Sequence, residues 1–128
     1  MHEEVIPPHG LELLAALERR RGAALRGWVL AGGTGLALRL GHRLSGDFDF
    51  FRSNAVDMRE LARILERAGE CETLNHDART LNVLVGGVKL SFFRVSFGFL
   101  LPPAPYRFFA IADIVDIALM KLAAVADR

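Results

Sequence analysis

The sequence predicts an α/β or α+β domain, a short mixed sheet with helices packed on it. Three observations carry this. Segments with a period near 3.6 residues alternate with short extended segments along the chain. Glycines mark the junctions, at Gly32, Gly33, Gly35, Gly41, Gly69 and the pair Gly86-Gly87. The length, 128 residues at 52% hydrophobic, suits one domain with a real core.

Pro7 and Pro8 lead into a helix from about Gly10 to Arg21, with Leu13, Leu14 and Leu17 as its apolar stripe. Trp28–Ala31 reads as a short buried strand. Gly32, Gly33 and Gly35 turn it into a short helix through Leu40, closed by Gly41. Asp47–Phe51 alternates polar and apolar, the period of a half-buried strand. Ser53 or Asn54 is placed to cap a helix to about Ala68, ended by Gly69. Glu72–Leu74 and Thr80–Val85 are strands. Gly86-Gly87 makes a hairpin, and Val88–Val95 returns antiparallel. Ser96–Tyr106 is a Pro-rich loop before an extended piece at Arg107–Ile111. Asp113 caps the last helix, with Asp116 placed as in a capping box. That helix stays periodic to Arg128 without a stop signal, the pattern expected of a piece of something longer.

Sixteen Lys and Arg against fifteen Asp and Glu leave a net charge of +1. This excludes a strongly basic nucleic-acid-coating module while allowing a local basic patch. The single cysteine, Cys71, excludes an internal disulfide and a Cys-based zinc site. No signal peptide is apparent. The longest charge-free runs, Gly27–Leu38 and Val95–Tyr106, fall well short of the roughly 20 residues a spanning helix needs. A soluble, cytoplasmic protein without a membrane partner is expected.

Trp28 to Phe51 holds two devices. The first is a strand, Gly-Gly-Thr-Gly, and a helix. Glycines admit a ligand close to the backbone, and a helix N-terminus offers free N–H groups and partial positive charge to a phosphate. Neither the dinucleotide fingerprint nor a Walker A loop is present, so an ordinary tight turn is the plain alternative. The second device is Asp47-Phe48-Asp49-Phe50. In a strand, residues i and i+2 share a face, about 6.6 Å apart. Two carboxylates there repel each other, and a divalent cation such as Mg²⁺ or Mn²⁺ reverses the repulsion. The alternative is a solvated outer face. Together the devices would bring phosphates and metal side by side, as triphosphate chemistry requires.

The string G-G-T-G-L-A-L-R-L-G-H-R-L-S-G-D-F-D-F-F resembles the signature of the DNA polymerase β-like nucleotidyltransferase superfamily, and within it the AbiEii/AbiGii-type toxin branch. The match is dense over Ala31–Phe51 and looser through Val88–Phe93 and Asp113–Arg128. The resemblance implies the polymerase β-like fold and nucleotidyl transfer: attack on the α-phosphate of a nucleoside triphosphate, with pyrophosphate leaving. It implies Asp47 and Asp49 as metal ligands for Mg²⁺ or Mn²⁺, and Gly32, Gly33 and Thr34 as holders of the triphosphate. Arg43 is placed to contact phosphate and Ser45 to brace the turn. An RNA or tRNA acceptor and a cognate antitoxin partner, as in toxin–antitoxin systems, follow by analogy only. His42 is expected at the surface or in packing rather than on metal.

On the last helix, 100° steps gather Ile114, Ile117, Ala118, Leu122 and Val125 on an apolar face, with Asp113, Asp116 and Asp127 opposite. Lys121 falls within the apolar face. It either neutralises phosphates in a pocket or snorkels to water. The Lys helix of the branch looks like D-I-A-L-M-K-L-A-A-V-A-D-R, which favours a catalytic, phosphate-binding Lys121. Two departures stand out. Many superfamily members carry a third carboxylate on a nearby antiparallel strand, where Val88–Val95 offers only Lys89 and Arg94. In the branch a further acid follows the Lys helix, beyond Arg128. The single domain, residues 1–128, is thus expected to be shortened at its C-terminus and one acid short. Alternatives are an antitoxin-like nucleotidyltransferase modifying a partner protein, and an inactive nucleotidyltransferase fold used for binding.

The remaining features read as structural. Arg19-Arg20-Arg21 with Arg26 is a solvated helix end. Phe92, Phe93, Phe97, Phe99, Phe108 and Phe109 are assigned to the core. Cys71, between Glu70 and Glu72, is no nucleophile.

Overall fold

The computed structural model describes residues 1–67 and 70–126. Helix α1 (Pro8–Arg21) starts on Pro8, whose missing N–H costs nothing in a first turn. Strand β1 (Val29–Ala31) runs straight into α2 (Gly32–Leu40), which ends on left-handed Gly41. Then come β2 (Phe48–Arg52), α3 (Met58–Arg67), β3 (Cys71–His76), β4 (Thr80–Val85), β5 (Val88–Arg94), β6 (Ala104–Tyr106), β7 (Phe109–Ile111) and α4 (Ile114–Ala126). The sheet is mixed, as expected, but not short. Seven strands lie in the order β3-β4-β5-β2-β1-β7-β6. β2 is antiparallel to β1 and parallel to β5, while β5 is antiparallel to β4.

Alternation assigns the two faces. Phe48 and Phe50, Leu90 and Phe92, and Leu81 and Val83 are buried with Leu14 and Leu17 of α1 and Leu61 and Leu65 of α3 in one core. Trp28 meets Phe92 edge-on at 5.1 Å. A smaller cluster of Ala31, Ala112 and Ile117 lies under α4. Beyond it the second face is polar along one row, where Ala31, Asp49, Ser91 and Asn82 are consecutive register partners.

Four expectations need correction. Asp57, not Ser53 or Asn54, caps α3, its Oδ1 accepting the N–H groups of Arg59 and Glu60 at 3.0 and 3.2 Å. The Pro-rich loop contains β6, which tolerates Pro105 because it is the sheet's edge strand. Phe97 is exposed, while Phe93, Phe99 and Phe108 are only half-buried.

The largest correction concerns α4. Its buried side chains are Asp116 and Ile117, and the expected apolar face (Ile114, Ala118, Leu122, Val125) is exposed. Asp116 turns inward because its carboxylate accepts the N–H groups of Leu100 and Leu101 at 2.8 and 3.0 Å. Those bonds, not hydropathy, set the helix's rotation, and they replace the expected capping box. Asp113 does cap the helix, accepting from Val115 at 2.9 Å. The helix stop at Gly69, Asp127, the chain end at Arg128 and the side chain of Arg21 lie outside the described residues. Among the described residues no helix is long and apolar enough to cross a membrane.

Candidate active site

Because β1 passes into α2 without a linker, the first turn of α2 points its N–H groups past the end of the strand. No side chain caps them, so this helix end keeps its donors and partial positive charge. Gly32 makes the junction possible in two ways. Its φ of +61° lies in the left-handed region, and a Cβ there would collide with the Asp49 carboxylate. Asp49 is therefore pressed against the first residue of the helix. At Gly33 a Cβ would come within 2.5 Å of the Arg43 guanidinium. Arg43 thus folds over the same helix end, where an anion would sit.

Phe48 and Phe50 are held in the core, so strand alternation turns Asp49 to the open face. Asp49 lies in register between Ala31 of β1 and Ser91 of β5. Asp47, one residue before the strand, is exposed. Burial pushes the Asp49 carboxyl above its ordinary range; the charge of Asp47 adds to this and Lys89 opposes it. Among the described residues the Asp49 carboxylate accepts no hydrogen bond. The pair is thus close enough to interact, on one side of the strand, and free to take cationic partners.

Thr34 and Ser45 serve this geometry from behind. Thr34 is buried rather than facing the cavity beside α2. Its hydroxyl pairs with Ser45 Oγ at 2.7 Å and also donates to the backbone carbonyl of Asp47. Ser45 N–H in turn donates to Val5 O at 2.9 Å. These bonds tie Thr34 and Ser45 to the loop that carries Asp47.

In front of the turn lies a cavity of about 320 Å³, within the size range of small-ligand sites. Gly32 and Gly33 form its floor, with Arg43, His42 and Lys121 at its polar side. Leu36, Phe51, Ile117, Met120 and Ala124 form an apolar wall. Lys121 is exposed, not buried as an interior lysine; the turned α4 lets it reach water and the cavity at once. Neither aspartate is among its lining residues; Asp49 meets it through Gly32.

Of the sequence-derived candidates, Gly32, Gly33, Arg43 and Lys121 meet at this cavity, Asp49 lies against Gly32, Asp47 acts on Asp49 through its charge, and Thr34 and Ser45 hold the loop before β2. His42, expected at the surface or in packing, is exposed and lines the cavity. The apolar wall was missed, although Phe51 stands two residues after Asp49 on the same face. Register also defines what replaces a third acid. Ser91 lies beside Asp49, and Lys89 lies one row earlier, on a strand parallel rather than antiparallel to β2. Among the described residues no group of three His, Cys, Asp or Glu side chains is arranged to hold a metal. Cys71 is half-buried, with its thiol pushed up by burial and by Glu66 rather than by its sequence neighbours.

Comparisons with known proteins bear on the family and the fold. The sequence model described as "Nucleotidyl transferase AbiEii toxin, Type IV TA system" matches residues 15–128. An uncharacterized protein of Aquifex aeolicus (strain VF5) is 38% identical over 105 residues, covering 79% of this chain and 51% of that protein. The crystal structure of JHP933 from Helicobacter pylori superposes with a TM-score of 0.59 at 20% identity, covering 93% of this chain and 58% of that one. A second H. pylori structure, of a candidate nucleotidyltransferase, gives 0.58 at 20% identity, covering 88% and 56%. At that identity the two structures speak for the fold alone. The chain spans about half the length of these relatives. Its fold is that of the polymerase β-like nucleotidyltransferases, and the chain belongs to the AbiEii nucleotidyl transferase toxin family.

Proposed function

We propose that this chain carries the catalytic half of a metal-dependent nucleotidyltransferase, moving a nucleoside monophosphate from a triphosphate to an acceptor hydroxyl. The observation that supports it best is the contact of Asp49 with Gly32, which sets a carboxylate, with Asp47 near enough to act on it, against an uncapped helix N-terminus whose first residues line the cavity. The donor set fits a hard divalent cation. Asp47 and Asp49 supply carboxylate oxygens that repel each other, and substrate phosphates and water would fill the other positions, as is usual for Mg²⁺. When bound, Mg²⁺ or Mn²⁺ would offset the charge gathering on the transferred phosphoryl group.

The chain's own groups do the rest. The N–H groups of the first turn of α2, Arg43 and Lys121 hold the triphosphate. The wall of Phe51, Leu36 and Met120 receives the base. One of the two carboxylates accepts the proton of the attacking hydroxyl. As acceptor we propose an RNA hydroxyl, with the tRNA 3′ end as the form suggested by the resemblance. An antitoxin protein is the proposed partner, on the family's toxin–antitoxin assignment. A second reading, nucleotide binding without transfer, draws support from the absence of a third acid among the described residues.

The test is label transfer. Folded protein is incubated with each α-labelled triphosphate, Mg²⁺ or Mn²⁺, and total RNA or cell protein. Label in RNA, lost in Asp47→Asn, is expected. Nucleotide binding without transfer to any acceptor would leave the binding reading in its place.

A further inference from the structure

The opposite end of β2 and β5 carries a feature the transfer chemistry does not use. Parallel register sets Arg52 beside Arg94, one strand spacing apart. Both are half-buried, and the Nε of each is fully buried without a hydrogen-bond acceptor. Among the described residues no carboxylate pairs with either. Other arginines are provided for: Arg107 has Glu3 and Glu18, Arg63 has Glu60, and Arg39 has the carbonyls of Ile111 and Ala112. The Arg52 guanidinium instead lies over the Trp28 ring, 5.5 Å from its centroid, which holds it flat. Two arginines thus stand on neighbouring strands, and among the described residues no anion answers either.

The surroundings add positive charge. Exposed Arg26 adjoins Gly27, which lies against the Arg52 guanidinium, and the carbonyl of exposed Arg79 accepts Arg94 N–H at 2.8 Å. Asp77, in the same turn as Arg79, spends its Oδ1 on the N–H groups of Arg79 and Thr80. Planar guanidinium pairs match the oxygens of a phosphate. With exposed Arg26 and Arg79 near them, Arg52 and Arg94 offer a run of cations that successive phosphates of a flexible single-stranded chain can follow.

We propose that Arg52 and Arg94 form a phosphate-binding site at this end of the sheet, taking the phosphodiester backbone of a single-stranded nucleic acid. The site is distinct from the cavity at Gly32 and requires neither nucleotide nor metal. Binding is therefore measured in EDTA without triphosphate, so that its failure and a failure of transfer are separate results.

The buried Nε–H groups are shielded from exchange, which makes them direct reporters in ¹H–¹⁵N spectra. The probes are an oligouridylate of about 12 nucleotides, sodium phosphate and polyglutamate. Expected are shifts of the Arg52 and Arg94 Nε–H signals with the oligonucleotide. The log–log salt slope of binding should fall by about 0.7 for each of Arg52→Gln and Arg94→Gln. Arg63→Gln, at an exposed position of α3, should leave the slope unchanged. Thermal melting checks each variant's fold; Arg94→Gln leaves the Trp28 contact intact and carries the test if Arg52→Gln unfolds. Movement with inorganic phosphate but not with oligonucleotide would support a phosphate site and overturn the nucleic acid as its source. Response to polyglutamate alone, or no response at all, would overturn the proposal.

Discussion

Replacing Asp49 by Asn should stabilise the fold and disable the site at once. In EDTA the variant loses the like-charge repulsion with Asp47, worth roughly 0.2–1 kcal/mol for carboxylates on one strand face. Asp49 is only half-buried, so solvent screening keeps the gain within that range. For 128 residues, such a gain raises the melting temperature by about 1–4 °C. Mn²⁺ at about ten times its dissociation constant should add about 1.4 kcal/mol to the wild type, or about 5 °C, and almost nothing to the variant. The gain in EDTA also depends on pH. Burial and Asp47 raise the folded pKa of Asp49, so between the unfolded and folded values the native chain holds more protons. Wild-type stability therefore falls as pH rises through that window, and the advantage of Asn is full above it and gone below it. Scanning calorimetry with and without Mn²⁺, at neutral and acidic pH, reads both effects. A lower melting temperature for Asp49→Asn in EDTA, or a retained metal-induced shift, would refute the reasoning.

Three more outcomes follow from the geometry. Gly32→Ala should cost about 1–2 kcal/mol from the left-handed backbone alone, and more from displacing Asp49, as read by urea denaturation together with a lost Mn²⁺ shift. Asp116→Ala removes two charge-assisted bonds to the Leu100 and Leu101 N–H groups, a loss of about 3 kcal/mol, with hydrogen exchange at those two amides accelerated. Lys121→Met, at an exposed position, should leave stability within about 0.5 kcal/mol while weakening triphosphate affinity roughly tenfold, the value of one charge-assisted contact; calorimetric titration with ATP checks it.

What the sequence revealed and what it hid follow a physical divide. Asp47 and Asp49 were legible because alternation is local: Phe48 and Phe50 must go inward, so their neighbours must go outward. Gly32 was legible because few residues tolerate the turn it makes. Asp57 as the α3 cap was within reach too, since Glu60 follows it three residues on. Asp116 was not. Its partners are peptide groups 15 and 16 residues upstream, and helical periodicity carries no record of them. The same blindness misplaced the face of α4 on which Lys121 lies. A helix rotated by a buried carboxylate shows a face that hydropathy alone assigns to the interior. The strand at Ala104–Tyr106 was hidden by its prolines, which bar a central strand but not an edge.

The division of the sheet into a closed and an open face explains why a site under electrostatic strain can persist here. One face buries Trp28, Phe48, Phe50 and Phe92 under α1 and α3, and each such aromatic is worth about 3–5 kcal/mol against Ala. That reserve dwarfs the repulsion between Asp47 and Asp49. On the open face, Ser91 rather than a third carboxylate stands beside Asp49, and Lys89 stands one row earlier. A third acid there would deepen the strain in the metal-free chain and strengthen the grip on a cation. With Ser91 and Lys89 in those places, the proposed function implies a trade settled toward a stable metal-free chain and weak metal binding. On the proposed function, substrate phosphates held by Arg43 and Lys121 would then complete the shell, which would couple metal occupancy to the arrival of the triphosphate.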